Sequence, residues 1–281
     1  MRTDRSRPIS RREVLAAGLA GSGALALGRH AGAQPSPEKG PYGPFRMGIQ
    51  SYSLRGFKVD EALAKTKELG LHYWESFTAH IPADIAQVGA AKALAREAGV
   101  QVVGYGVIRF TKDHEANRKL FAFGKELGLE YFAADPAPDC FESLDKVVEE
   151  YGIAVGIHNH GPGHKYAKID DIQAAIKDHN PMIGCCIDTG HFLRSKEDPV
   201  RAAEVFGKRI YGVHLKDVKD AKTFTVLGEG DLRTAALLKV LAAQQYRHCL
   251  ALEYEENPAD PMADIRVSLA AVRKAVESLQ G

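Results

Sequence analysis

Ile153-Ala154-Val155-Gly156-Ile157-His158-Asn159-His160, followed by Ile183-Gly184-Cys185-Cys186-Ile187-Asp188-Thr189-Gly190-His191, decides how this chain is read. Each stretch is a short apolar run that ends abruptly in polar, metal-ligating side chains. The pattern recurs twice more, at Ile210 to His214-Leu215-Lys216-Asp217 and at Cys249 to Glu253-Tyr254-Glu255. The leading polar residues, His158, Asp188, His214 and Glu253, lie 30, 26 and 39 positions apart, about one strand-plus-helix unit each. Runs of five to eight apolar residues bounded by turns read as buried strands. Four strand ends in succession therefore carry imidazole or carboxylate, which predicts one metal site assembled from several strands.

Working outward, the same alternation extends back to residue 46. Candidate strands fall near 46–52, 72–77, 101–108, 130–135, 153–160, 183–188, 210–216 and 249–255. Amphipathic stretches near 60–69, 83–98, 113–127, 142–151, 170–179, 199–207, 231–244 and 261–279 lie between and after them. Asp60, Asp113, Asp170 and Asp231 are candidate helix caps, and Pro199 and Pro261 suit a first helical turn. Glu68-Leu69-Gly70-Leu71, Glu97-Ala98-Gly99-Val100 and Glu126-Leu127-Gly128-Leu129 repeat one helix-to-strand exit, with glycine where a helix ends. Eight strands alternating with eight helices predict an α/β fold, a single-domain (β/α)8 barrel over 45–281 with its active face at the strand C-termini. An open doubly wound sheet is the competing arrangement. It is disfavoured because no Gly-Xaa-Gly-Xaa-Xaa-Gly turn follows the first strand.

Residues 1–33 read as an export signal, not as a folded element. Five arginines between Arg2 and Arg12 precede a weakly apolar run from Val14 to Leu27, and Ala31-Gly32-Ala33 offers small residues for cleavage. Ser10-Arg11-Arg12-Glu13-Val14-Leu15 resembles the twin-arginine motif, which implies a periplasmic destination for a protein folded beforehand. A membrane anchor would need about 20 strongly apolar residues, and this run is shorter and glycine-rich. Residues 34–44, rich in Pro and Gly, read as a linker.

The whole chain carries a net charge of +1. Residues 1–33 contribute six arginines against Asp4 and Glu13, a net of +4, which leaves −3 for the remainder. A mildly acidic mature protein has no cationic footprint for nucleic acid or for anionic lipid. Four cysteines, Cys140, Cys185, Cys186 and Cys249, do not make a disulfide scaffold. They read as buried thiols, with only a Cys140 to Cys249 bridge left open.

Within a strand, residues two apart share a face. His158 and His160 thus point one way, as do Glu253 and Glu255. A buried acid such as Glu253 after Cys-Leu-Ala-Leu costs several kcal/mol if unpaired, whereas a lone strand-end His or Asp is as readily a hydrogen-bonded structural residue or, for Asp188, a helix cap. Mixed imidazole and carboxylate without thiolate suits Mn²⁺, Co²⁺, Zn²⁺ or Mg²⁺.

Met47-Gly48-Ile49-Gln50-Ser51-Tyr52-Ser53, Tyr73-Trp74-Glu75, Ile157-His158-Asn159-His160-Gly161, Asp188-Thr189-Gly190-His191, His214-Leu215-Lys216-Asp217 and Leu252-Glu253-Tyr254-Glu255 together resemble the sugar phosphate isomerase/epimerase family, whose fold is a xylose-isomerase-like TIM barrel. The resemblance implies one divalent metal held by His158, Asp188, His214 and Glu253. It also implies a sugar pocket lined by Glu75, His80, His191, Arg194, Lys216 and Asp217. Many epimerases of that family have Glu where His158 stands, so a two-carboxylate proton exchange does not carry over. The expected chemistry is proton abstraction from a keto-sugar by Glu253, with His158 or His160 returning the proton or assisting elimination and Lys216 steadying the oxyanion. An ion pair with Asp217 is the alternative role of Lys216. Two other functions compete: an endonuclease IV-like phosphodiesterase, disfavoured by the acidic surface, and a non-catalytic periplasmic sugar-binding protein. No phosphate loop is present, so an unphosphorylated small-molecule sugar is the expected partner, and a homo-oligomer is left open.

Overall fold

The computed structural model describes residues 40–279, and the predicted export signal lies outside them. Ten strands and nine α-helices occur among the described residues. The strands are β1 (Arg46–Gln50), β2 (Tyr73–Ser76), β3 (Gln101–Ile108), β4 (Tyr131–Ala134), β5 (Ala154–His158), β6 (Ile183–Asp188), β7 (Ile210–Leu215), β8 (Asp217–Lys219), β9 (Thr223–Thr225) and β10 (Cys249–Leu252). The helices are α1 (Val59–Glu68), α2 (Val88–Ala98), α3 (His114–Leu127), α4 (Phe141–Tyr151), α5 (Ile169–Ile176), α6 (Thr189–Arg194), α7 (Pro199–Phe206), α8 (Thr234–Ala243) and α9 (Met262–Glu277). Eight strands pair in parallel, and β1 bonds both β2 and β10, which closes the barrel. All eight predicted barrel strands are present. The competing open sheet is excluded.

Alternation along each strand makes two cores. Ile49, Trp74, Phe132, Val155, Ile187, Val213 and Leu250 face outward into the layer that the helices cover. Val103, Tyr131, Ala133, Ala154, Cys186, Cys249 and Ala251 fill the barrel. The inner set is mostly small because one aromatic ring, that of Tyr131, takes the centre. Glycines make its room: a Cβ on Gly104 or Gly212 would stand 2.5 or 2.8 Å from the Tyr131 ring. All four cysteines are buried and free, and no disulfide links Cys140 to Cys249.

The repeated helix exit has a conformational cause. Gly99 and Gly128 end α2 and α3 at φ 71° and 90°, a region that Cβ-bearing residues avoid. Asp113 caps α3 by accepting from the Ala116 amide at 3.0 Å, as expected. Asp231 does not cap α8. It accepts instead from the Ala221 amide at 3.0 Å, and the helix begins at Thr234. Asp60 and Asp170 lie inside the first turns of α1 and α5, whose entries are closed by Glu61 and Asp171 accepting from the Lys58 and Lys168 amides.

Two elements near the functional face were not expected: the single-turn helix α6 directly after β6, and the β8–β9 hairpin after β7. The fifth and last barrel strands also stop short of the predicted 160 and 255. Beyond β5 a side chain takes over from the backbone ladder. Asn159 donates to the Asp188 carbonyl and accepts from the Asp188 amide, both at 2.8 Å. That reciprocal pair holds the ends of β5 and β6 together where their backbones separate.

Candidate metal centre and pocket

Register brings the strand-end residues to one level of the barrel. Asp188 lies opposite His214, and Gln50 opposite Glu75. His158 Nε2 stands 3.1 Å from His214 Nδ1 and 3.3 Å from Asp188 Oδ2, and His214 Nδ1 stands 3.2 Å from Glu253 Oε2. Each of the four residues offers one ligand atom, and these atoms all lie within 4.8 Å of one another. Asp188 Oδ2 and Glu253 Oε2 are buried and face the two imidazole nitrogens, with Lys216 Nζ beside both. Buried carboxylates are costly without counter-charge. Two such oxygens with two imidazole nitrogens form a donor set that fits a divalent cation.

Asp188 divides its oxygens between two tasks. Oδ1 accepts from the His191 amide at 2.7 Å and caps α6, while Oδ2 faces the cluster. Asp188 therefore caps a helix with one oxygen and offers the other to the cluster.

Lys216 is the local counter-charge. Its Nζ lies 2.9 Å from Asp188 Oδ2 and 2.8 Å from Glu253 Oε2, and it also pairs with Glu255. It does not pair with Asp217. Burial alone would raise the Glu253 carboxyl, but the Lys216 ammonium and His214 outweigh it and hold Glu253 down at about 2. Asp188 is held low in the same way, burial being outweighed by Lys216, His191 and His158. Burial would also strip the proton from Lys216, yet Asp188, Glu253 and Glu255 raise its pKa.

A pocket of about 200 Å³ opens onto this cluster, lined by Gln50, Tyr52, Phe77, Gly106, Val107, His158, His160, His191, Lys216, Glu253 and Glu255. His160 and His191 are driven down to about 3 and 4, first by burial, so both face the pocket as neutral imidazoles. His158 and His160 do share a side, with ring centroids 4.7 Å apart.

Four residues expected in the sugar pocket are placed elsewhere. Glu75 has no exposure and lies beneath the cluster, accepting from His214 Nε2 at 2.8 Å, Gln50 Nε2 at 2.7 Å and the Tyr131 hydroxyl at 2.6 Å. A ligand imidazole is commonly held in just this way by a carboxylate on its far nitrogen. His80 stacks on Trp74 and bonds Ser51 Oγ at 2.8 Å, so it shapes the wall behind the pocket. Asp217 turns away and accepts from the amides of Val218, Gly228, Gly230 and Leu232, organising the loop after β9. Arg194 sits behind His191, with Nη1 3.2 Å from His191 Nδ1. Sequence reasoning did not assign Gln50, Tyr52, Phe77 or Glu255. Gln50 and Tyr52 follow the first strand and Glu255 repeats the face of Glu253, which are the signals that could have found them.

A second group, Asp135, His160 and His164, also offers three ligand atoms within 4.8 Å of one another. It is built differently. Lys165 Nζ is 2.6 Å from Asp135 Oδ1, and His164 Nδ1 accepts from the Tyr166 amide, which leaves its Nε2 hydrogen directed at Asp135. That is an ion pair with a neighbouring histidine donor, not a convergence of free lone pairs.

A family model described as "Xylose isomerase-like TIM barrel" matches residues 63–275. An inosose dehydratase of Clostridium botulinum (strain Alaska E43 / Type E3) is 28% identical over 135 residues, 41% of this chain and 45% of the relative. An inosose dehydratase of Bacillus cereus (strain AH820) is 26% identical over 144 residues, 44% of this chain and 48% of the relative. The chain thus spans about half the length of these curated relatives. Among solved structures, an uncharacterised protein from Parabacteroides distasonis matches with TM-score 0.65 and 26% identity, over 82% of this chain and 99% of the other. An E. coli 3-keto-D-glucoside 4-epimerase matches with TM-score 0.66 and 18% identity, over 82% and 99%, a likeness of fold.

Proposed function

This chain belongs to the xylose isomerase-like TIM barrel family, and from that premise we propose that it is a divalent-metal-dependent enzyme that isomerises, epimerises or eliminates on a keto-sugar. The observation that carries the reading is the convergence of His158, Asp188, His214 and Glu253, with two buried carboxylate oxygens facing two imidazole nitrogens. These four residues would hold the ion. When bound, it would supply Lewis-acid polarisation of the substrate carbonyl.

The protein groups around it have complementary roles. Glu253 stays ionised and is the base that takes the proton from the carbon beside the carbonyl. Lys216, raised in pKa by its three acidic neighbours, keeps an ammonium donor at the developing oxyanion. His160, neutral in the pocket wall, takes a proton from a substrate hydroxyl and passes it, as the transient imidazolium, to the neighbouring carbon or to a leaving oxygen. His191 contributes a polar contact, and Tyr52 and Phe77 give the sugar an apolar side. With His158 in place of a second carboxylate, proton return falls to imidazole. The dehydratase names of the curated relatives are in keeping with the elimination branch.

We extend the proposal to the export signal. Ser10 to Leu15 sends the folded protein by the twin-arginine route to the periplasm, where an unphosphorylated sugar is the expected substrate. Fractionation of cells expressing the full chain, with Arg11 and Arg12 changed to Lys as the control, tests the address.

The activity is tested by incubating the Mn²⁺-loaded protein with keto-sugars and 3-keto-glycosides in D₂O and following deuterium at the α-carbon by NMR. Exchange is expected for the substrate class, and Glu253→Gln should abolish it while the ion remains bound. No exchange across the panel would leave a sugar-binding protein. Metal analysis separates the phosphodiesterase reading, which requires three ions per chain where one is expected here.

A further inference from the structure

Arg194 stands at the third position after His191 on the one-turn helix α6, so the two side chains share a face. Its Nη1 lies 3.2 Å from His191 Nδ1. A guanidinium has only donors and does not lose its proton in proteins. His191 Nδ1 must therefore accept, and a neutral imidazole that accepts at Nδ1 carries its hydrogen on Nε2.

The surroundings hold the guanidinium to that task. Among the described residues Arg194 has no carboxylate within ion-pair distance. Its guanidinium carbon lies over the Phe224 ring at 5.0 Å, and the same ring meets His191 edge-on at 5.6 Å. On another side the chain leaves space at Gly161, where an added Cβ would come within 3.2 Å of Nη1. The backbone amide of His191 is pinned by Asp188 Oδ1 at 2.7 Å. The ring is thus fixed at its backbone by the Asp188 carboxylate and at Nδ1 by a permanent cation.

We propose that Arg194 is a positioning residue that locks His191 in its Nε2–H tautomer, so that His191 presents a hydrogen-bond donor to an oxygen of the bound substrate. The inference deepens the keto-sugar reading and rests on it for the identity of that oxygen. The tautomer itself does not depend on any substrate. It follows that the pocket takes a hydroxyl or carbonyl oxygen against His191 and rejects an ammonium there. Phe224, on the β8–β9 hairpin, backs the pair and couples the loop that Asp217 organises to the orientation of His191.

The test is ¹⁵N NMR of protein labelled at histidine, without substrate, with His191→Gln identifying the resonances. The wild type should show His191 Nδ1 unprotonated and Nε2 protonated at neutral pH. Arg194→Met, which keeps bulk and removes the donor, should give a mixed or reversed tautomer, and Arg194→Lys should restore it. Gly161→Ala, which crowds Nη1, should give an intermediate spectrum in case Arg194→Met does not fold. A wild-type His191 protonated at Nδ1, or spectra that Arg194→Met and Gly161→Ala leave unchanged, would overturn the proposal. On whichever keto-sugar exchanges deuterium, Arg194→Met should lower kcat/KM by roughly tenfold, the scale of one misdirected hydrogen bond, with Arg194→Lys recovering most of it. A locked tautomer in a protein that exchanges no keto-sugar would retain the positioning and sink only the substrate.

Discussion

His214 donates its Nε2 hydrogen to Glu75 Oε1 at 2.8 Å, and both side chains have no exposure. Glu75 also receives Gln50 and Tyr131, so its lone pairs are committed and it cannot act as a donor toward His214. The result is that His214 turns Nδ1 toward His158 and Glu253. Against burial, Cys186, Glu75 and Glu253 raise its pKa, so a bound cation would take the place of the Nδ1 proton. Glu75→Gln would place an amide among three donors and loosen this orientation. Mn²⁺ affinity by titration calorimetry should fall about 10- to 100-fold, the usual cost of losing such a supporting group. Unchanged affinity would mean that Glu75 only fills the barrel.

The Tyr131 ring and the glycines beside it form a fitted unit. Gly212→Ala would set a Cβ 2.8 Å from the Tyr131 ring and 2.9 Å from Cys186 Sγ, in a place where neither can retreat. Overpacking of this kind costs about 1–3 kcal/mol. The melting temperature should drop by several degrees, and Tyr131→Leu in the same protein should recover part of the loss. A Gly212→Ala protein as stable as wild type would show that the inner core is looser than its distances imply.

Asp217 accepts three backbone amides from the loop that carries Gly228, Gly230 and Leu232, and a fourth from its neighbour Val218. Asp217→Asn replaces one acceptor oxygen with a donor and faces it toward amide hydrogens. Stability should fall by about 1–3 kcal/mol, and limited proteolysis should cut first between 219 and 232. Cleavage elsewhere, with this loop still protected, would count against the clamp.

At the opposite end of the barrel Arg46 grips Glu130 through two bonds of 2.8 and 2.7 Å, and His248 lies 3.7 Å away. Burial would raise the Glu130 carboxyl, but His248 and Arg46 outweigh it and lower it to about 2. A depressed carboxylate stabilises the fold above its unfolded pKa of about 4.3, and that contribution is lost as pH falls from there toward 2. Because the pair is partly exposed, solvent screening limits it to on the order of 1–2 kcal/mol. Chemical denaturation at pH 7, 5 and 3 should show a steeper acid loss for wild type than for Glu130→Gln. Parallel curves would assign the acid limb to other groups.

The four-residue cluster was legible because its residues obey a one-dimensional rule. Each of His158, Asp188, His214 and Glu253 ends an apolar run, and strand alternation sets them on one face whatever the neighbours are. Asp113 and the glycine exits were legible for the same reason, since a cap or a positive φ is settled within four or five residues. Glu75, His80, Arg194 and Asp217 are also polar residues near strand ends, yet they do not line the pocket. Their roles depend on which partners the fold supplies: His214 for Glu75, Ser51 for His80 and the 228–232 amides for Asp217, while Arg194 donates to His191 on its own helix.

By itself, then, the order of apolar runs and their polar ends determined an eight-unit barrel and the four donors at its functional face, because period and spacing are local properties of the chain. Closure decided the rest. Only when β1 meets β10 do the strand ends reach one level, with Glu75 beneath His214 and Lys216 between three carboxylates. Those relationships are set by distances between side chains far apart in sequence, and barrel register and loop docking fix them where no local pattern can.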